Sequence, residues 1–384
     1  MTEQQKCLEL LEQLVAIPSE SRNEEAHARF LERFLREELD METTLQHVSG
    51  KSYNIIGRWQ TGDGPAPRKL ILGGHLDTVP PTDRWRTDPY VLTRDGDRLR
   101  GLGAGDMKGG LAAQLTVLKK LHGEGVRLNA DVEFVGLADE ERFSIGANAY
   151  VEQAQQGRPV PPDTFFIMAE PHYDNIVIGA TGKILLRFEV TGSGGHASTP
   201  EKGVNAIDCM TELLNAVNQV YGARYREGAC GSHCCLKIES RYPGYSLNIP
   251  ESCSCLLNKQ LGPTESAEDF ITDVYELYEE RVGRGSLTIH REIPSYPSYC
   301  LSEEEPHLAE LTRLLDQQFQ YRPVLRVNQS VSDGNVLYNS LGIPTVLFGP
   351  QGVNFHTENE YLLESTLTDY MEQLHAYIRT VYGH

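Results

Sequence analysis

The chain has 384 residues, which is long for a single core and suits two domains. Hydrophobic residues make up 40%, ordinary for a globular protein, and no run approaches the ~18 apolar residues of a membrane span. The 54 acidic against 35 basic residues give a formal charge of -19, which argues against nucleic acid or an anionic membrane as partner.

The N-terminal stretch MTEQQKCLELLEQLVAIP is polar and helical in pattern, with Leu8, Leu11 and Leu14 on one face. It has no basic start followed by an apolar core, so it is not a secretory signal and a cytoplasmic location is expected. Pro18 breaks the pattern, and a second amphipathic stretch runs from Asn23 to Leu39. Apolar runs of strand length follow at 54–59, 69–74, 131–138 and 164–169. Helical patterns starting at Gly109 and Ser144 separate most of them. Strands alternating with helices predict a largely parallel α/β sheet, whose ligands sit at the carboxyl ends of the strands.

The pattern changes near Gly182. Residues 183–193 alternate apolar and polar, as in a strand with one wet face. A helix from Asn205 to Val220, strands at CCLKIES and SCSCLLNKQ, a helix from Ala267 to Arg281 and the strand SLTIHRE follow. This β-α-β-β-α-β order is a split β-α-β sandwich of ferredoxin size. After Pro294 the α/β style resumes, with a helix at EPHLAELTRLLDQQF and a buried strand at 342–350. A small domain, 182–293, is therefore expected inside a large one, 1–181 and 294–384. Six of the eight cysteines lie between Cys209 and Cys255 without C-x-x-C spacing, so reduced, buried thiols are expected rather than a cysteine-bound metal.

Five segments present metal-binding side chains on Gly- or Pro-marked loops just past apolar runs. They carry His75 and Asp77, Asp106, Glu140 and Glu141, Glu170, and His356. Two imidazoles and three carboxylates can hold two adjacent divalent ions if one carboxylate bridges, and a further carboxylate is left as a base. Such a set points to a hydrolase that activates water between two metals. In H-x-D the imidazole can bind metal while Asp77 receives its other N–H. Asp106, flanked by glycines in GLGAGDMKGG, could bridge two ions or cap a helix; a phosphate loop is disfavoured because G-K-[ST] is absent. Of Glu140 and Glu141, one can bind metal while the other faces the reacting water. Glu170 ends an apolar run and must be paired or metal-bound if buried.

The segments GGHLDTVP, GLGAGDMKGG, ADEE, AEP, GSGGHASTPEKGVNAI, SDGNVLYNSLGIP, and FGP followed by His and Glu, occur in that order over nearly the whole chain. With them the sequence resembles the acetylornithine deacetylase / succinyl-diaminopimelate desuccinylase family of dizinc hydrolases, relatives of aminoacylases and carboxypeptidase G. The resemblance implies a zinc-peptidase-like three-layer α/β/α catalytic domain with an inserted ferredoxin-like α+β domain serving as lid and dimerisation surface. It implies two Zn2+ per chain, replaceable by Co2+ or Mn2+, and a homodimer acting on a small N-acyl amino acid or short peptide. His75, Asp106 and Glu170 would hold one ion, and Asp106, Glu141 and His356 the other. Glu140 would be the general acid/base, Asp77 would orient His75, and His196 would polarise the scissile carbonyl. One departure stands out. Relatives carry an Arg near the end of the strand after the lid motif, to grip a substrate carboxylate; here Asn248 precedes Ile-Pro and the Arg position holds Gln260. Either Lys259 or Arg241 replaces that Arg, or the substrate lacks a carboxylate there.

The reading is a metal-dependent amidohydrolase that cleaves an N-acyl amino acid or related small N-acyl amine. A carboxypeptidase or dipeptidase is the alternative within the enzyme class. A catalytically retired binding protein is disfavoured because the ligand set and Glu140 are complete.

Overall fold

The computed structural model describes residues 1–60, 67–157, 160–241 and 247–383. Helix α1 (Glu3–Val15) starts at a capping box in which Thr2 accepts from the Gln5 N–H, and it buries Cys7, Leu10, Leu11 and Leu14. Then come α2 (Glu25–Leu39), β1 (Glu42–Ser49), β2 (Ser52–Trp59) and β3 (Arg68–His75). A hairpin of β4 (Thr93–Asp95) and β5 (Arg98–Arg100) leads through an irregular turn at Ala104–Lys108 into α3 (Gly109–Gly123). Next are β6 (Asp131–Leu137), α4 (Ile145–Gln156), β7 (Asp163–Met168) and β8 (Asn175–Ala180). The following stretch holds β9 (Gly182–Thr191), α5 (Ala206–Arg226), β10 (His233–Ser240), β11 (Ser252–Leu261), α6 (Ala267–Arg281) and β12 (Ser286–Tyr296). The chain ends with β13 (Tyr299–Cys300), α7 (Pro306–Phe319), β14 (Val324–Asn328), α8 (Asp333–Leu341), β15 (Thr345–Leu347), β16 (Gly352–Val353), β17 (Tyr361–Leu363) and α9 (Glu364–Val381).

The chain divides into two compact units: Met1–Gly179 with Cys300–Asn328 and Ser332–His384, and Ala180–Tyr299 with Gln329–Val331. The first is built on a mixed sheet of order β1-β2-β6-β3-β7-β15-β8-β13, with β14 also pairing β8. Its centre, β6-β3-β7-β15, is parallel; β1, β2 and β8 join antiparallel. The parallel strands read as unbroken apolar runs, such as Leu70–Ile71–Leu72, because helices cover both faces. Register aligns their carboxyl ends: His75 lies opposite Leu137, and Gly73 opposite Met168. The segments that leave β3, β6 and β7 therefore emerge side by side. A small antiparallel sheet, β16-β17-β5-β4, lies in the same unit.

The second unit is a four-stranded sheet of order β10-β11-β9-β12 with every neighbour antiparallel. Alternate residues of β9 and β11, among them Leu186, Phe188, Cys255 and Leu257, share a core with Met210, Leu213 and Val217 of α5 and Phe270 and Val274 of α6. This is the split β-α-β sandwich that the alternating pattern predicts. Among the described residues, no helix is long and apolar enough to cross a membrane.

Candidate metal centre

All five ligand-bearing segments of the sequence lie in the first unit; those of His75, of Glu140 and Glu141, and of Glu170 leave the carboxyl ends of the parallel strands β3, β6 and β7. His75 is the last residue of β3. Close strand packing just before it requires glycine: a Cβ on Gly73, whose φ is +129°, would sit 1.9 Å from the Val135 carbonyl oxygen. His75 Nδ1 lies 2.9 Å from the main-chain oxygen of Asp77, which leaves Nε2 as the ligating nitrogen. The Asp77 carboxylate is 3.7 Å from Nδ1 and does not make that bond. It is taken up elsewhere, accepting from the Glu140 N–H at 3.0 Å, the Glu141 N–H at 3.2 Å and the Ser21 hydroxyl at 2.7 Å. Asp77 thus orients His75 through its backbone and the two glutamates through its side chain.

The turn after β6 passes through Asp139 in the left-handed region, at φ 63°. Its N–H donates to Glu24 at 3.1 Å, so two buried carboxylates hold three successive N–H groups of this turn. Glu170 follows β7, whose end is fixed by the Ala169 N–H on the Gly73 oxygen at 2.9 Å. Asp106 lies in the turn before α3. Glu360 accepts there from the N–H groups of Gly103, Gly105 and Asp106, at 3.2, 3.0 and 3.0 Å. His356 lies on the exposed loop between β16 and β17, with φ 60°.

The side chains converge around Asp106. Its Oδ1 is 3.0 Å from His75 Nε2, and its Oδ2 is 3.6 Å from His356 Nε2. Glu170 lies 3.8 Å from His75 Nε2, and Glu141 lies 2.9 Å from His356 Nε2. One carboxylate therefore offers one oxygen to each imidazole, and each imidazole has a second carboxylate of its own. Ligating atoms of His75, Asp106 and Glu141 all fall within 4.8 Å of one another. Two nitrogen and several oxygen donors of this kind suit divalent ions such as zinc, cobalt or manganese.

The electrostatics fit cation binding. Hydrogen bonds to Asp106 and Glu141 push the His356 imidazole up to about 10. Burial opposes charge on His75, but Asp106, Glu170 and Glu140 outweigh it and hold the ring well above its ordinary value. Burial raises Asp106 too, yet the two imidazoles draw it below the usual carboxylate range. Burial and the Asp106 charge push Glu170 up to about 8. Burial, opposed by His75 and reinforced by Asp333, Glu170 and Glu141, holds Glu140 well above an ordinary carboxyl group. Divalent cations held here would offset the repulsion among these carboxylates.

Glu24 and Glu360 are the participants that residue spacing does not assign. Glu360 is four positions past His356 in NFHTENE, and its proximity to a ligand is the only signal. The Asp333 side chain is fully buried, and burial, opposed by Ser144 and His75, pushes it up to about 7.

In the second unit, His196 is exposed, and the Ser198 N–H donates to its Nδ1 at 3.2 Å. The neutral ring then carries its proton on Nε2, as a hydrogen-bond donor. Its loop pairs with Asn248 and is tied by Ala197 N to Leu247 O and Ile249 N to Gly195 O, at 2.7 and 2.8 Å. Lys259 cannot stand in for the absent Arg. It is buried under the Tyr221 and Phe270 rings, 2.7 Å from Glu265, and donates to the Gly231 and Gln260 carbonyls. Gln260 receives the Thr181 hydroxyl at 3.5 Å, and Arg241 is exposed.

Residues 71–380 match the sequence profile of Peptidase family M20/M25/M40. An acetylornithine deacetylase of Aliivibrio salmonicida is 27% identical over 330 residues, 81% of this chain and 83% of that one. An N-formyl-4-amino-5-aminomethyl-2-methylpyrimidine deformylase of Halalkalibacterium halodurans is 25% identical over 97% of this chain and 94% of its own. Among solved structures, a dinuclear metal-binding peptidase of Bacillus subtilis superposes with a TM-score of 0.73 at 15% identity, over 99% of this chain and 98% of that chain.

Proposed function

The chain belongs to Peptidase family M20/M25/M40 and is a metal-dependent hydrolase, and on that premise we propose that it deacylates a small N-acyl amine or N-acyl amino acid. One observation carries the reading: Asp106 places one oxygen toward each of two imidazoles, each with its own second carboxylate, beside the raised carboxyl of Glu140. When bound, two divalent cations, zinc in the first instance, supply Lewis acidity to a water and to the scissile carbonyl. Glu140 takes the proton of that water as it attacks, and later gives it to the departing nitrogen. Asp77 keeps the Glu140 and Glu141 peptides and the His75 ring in place. His196 donates from Nε2 to the carbonyl oxygen as it becomes negative.

The substrate side favours an amine without a carboxylate at the position Gln260 takes. Lys259 is spent on Glu265, and Gln260 offers no charged fork. The deformylase relative is named for an N-formyl aminopyrimidine, a substrate of that kind. The second reading, a small-peptide hydrolase, draws on the peptidase fold of the Bacillus subtilis neighbour. A homodimer through the second unit is part of the proposal. The cytoplasm is the proposed location. The test is a hydrolysis screen of zinc-loaded protein against N-formyl amines, N-acetyl and N-succinyl amino acids, and dipeptides. Turnover confined to dipeptides would replace the first reading by the second, and no turnover on any of them with two ions bound would remove both.

A further inference from the structure

Two of the eight cysteines form a built pair. Cys235 on β10 and Cys255 on β11 have their Sγ atoms 3.2 Å apart, inside the ~3.5–4.0 Å at which non-bonded carbon atoms pack. The register explains the approach. Cys235 pairs with Leu257 and Ile238 with Cys255, with an irregularity between Cys235 and Lys237. That bulge turns Cys235 diagonally onto Cys255, on the face that carries Leu257. The two thiols differ in access: Cys235 is exposed, whereas Cys255 is only 1% exposed.

We propose that Cys235 and Cys255 are a peroxide-sensitive thiol pair that closes to a disulfide across β10 and β11. Cys235, which solvent reaches, attacks one oxygen of hydrogen peroxide; the O–O bond breaks, one water leaves, and Cys235 becomes a sulfenic acid. The Cys255 sulfur then attacks the Cys235 sulfur. The S–O bond breaks as the S–S bond forms, and the Cys255 proton leaves with the hydroxyl as a second water. Two thiols lose two electrons, and one peroxide is reduced to two waters. Burial, and secondarily Cys235, hold the Cys255 thiol above its ordinary range, so Cys235 is the group that meets the oxidant.

The pair lies at the root of the segment that holds the His196 loop. Residues 235 and 255 bracket Leu247, Asn248 and Ile249, which pair with His196 and bond to Gly195 and Ala197. The disulfide would tie both ends of that segment together. Any effect on turnover rests on the role proposed for His196, whereas formation of the bond does not.

The test is thiol mapping of the full-length, zinc-loaded protein after a few equivalents of hydrogen peroxide, with alkylation and peptide mass analysis. The expected result is loss of two thiols, a linked peptide containing Cys235 and Cys255, and recovery with dithiothreitol. Cys255→Ser should stop at a sulfenic acid on Cys235 that dimedone traps, and Cys234→Ser should still form the link. First oxidation at Cys234 or Cys300, or eight thiols retained, would overturn the proposal. Because the wild-type map decides, the conclusion survives even if Cys255→Ser folds poorly.

Discussion

Replacing Glu360 should damage the metal centre without removing a ligand. Its carboxylate is 2% exposed and receives the main-chain N–H groups of Gly103, Gly105 and Asp106. Glu360→Ala leaves three buried donors unpaired, each costing ~1–3 kcal/mol before water or relaxation intervenes. Taking the low end for all three gives about 3 kcal/mol, or about a hundredfold in an equilibrium constant. Part of that falls on ion binding, because the loop carrying Asp106 must be rebuilt before Asp106 can meet an ion. Glu360→Gln keeps one oxygen for Gly105 and Asp106 but turns an amide NH2 toward the Gly103 N–H. Loss of that one charge-assisted bond costs ~1.5–3 kcal/mol. The expected order of zinc affinity is wild type, then Gln, then Ala. Competition with a chromogenic chelator measures it at pH 8, where a carboxyl pushed by burial up to about 7 is ionised. Urea unfolding of chelator-stripped protein gives the accompanying stability loss. Glu360→Ala that binds zinc within twofold of wild type and unfolds at the same urea concentration would refute this account of the loop.

Two further perturbations separate chemistry from folding. Glu140→Gln should reduce kcat by at least ~100-fold, the scale of general acid/base assistance, while isothermal titration still finds two ions; wild-type kcat would remove Glu140 as the base. Lys259→Met should cost ~3–5 kcal/mol of stability, because Glu265 is left without its buried partner, with ion stoichiometry unchanged. An unchanged urea midpoint would show that the pair is not stabilising.

The scaffold of the site is legible in sequence where burial is continuous. β3, β6 and β7 are buried on both faces, so their apolar runs stand out and their ends mark the ligand loops. The second unit is legible because β9 and β11 alternate buried and partly exposed residues. Residues 342–350 read as one strand, yet only Thr345–Leu347 pair; Gly342, at φ 67°, still closes α8. A strongly apolar run marks burial, and burial alone does not separate a strand from its flanks. Helix α9, unassigned from sequence, carries the helical spacing of Leu367, Tyr370, Met371, Leu374, Tyr377 and Ile378 against the core. The ligands were accessible as side-chain types at strand ends. Their supports were not, because Glu360 meets Gly105 across 255 positions and Glu24 meets Asp139 across 115. Asp77 shows the same limit. The carboxylate expected to hold His75 is occupied by N–H groups 63 and 64 residues away, so the main-chain oxygen takes its place.

Supporting negative ligands with further carboxylates has a consequence for stability. Burial pushes Glu24, Asp333 and Glu360 up to about 7, and burial with Asp106 pushes Glu170 up to about 8. Unfolded, these groups ionise near 4, so between that pH and 7 to 8 the folded chain without ions binds more protons than the unfolded chain. His356, raised to about 10 by Asp106 and Glu141, acts in the same sense above its unfolded value. Lys108, lowered to about 7 by burial, acts in the opposite sense, as do His27, lowered to about 3, and His172 and His233, also lowered by burial; the histidines matter only near the lower end of the range. Stability conferred by raised groups is complete below their unfolded pKa and is lost as pH rises through the folded one. Each excess proton costs about 1.4 kcal/mol per pH unit. The chelator-stripped protein should therefore lose urea resistance from pH 6 to pH 8.5. Zinc should reverse the trend, because ions that displace these protons bind more tightly as pH rises. Urea midpoints at both pH values, with and without zinc, provide the measurement. A stripped protein more stable at pH 8.5 than at pH 6 would mean that its buried carboxyl groups are already charged and paired, and that the ions are not what this interior is built to receive.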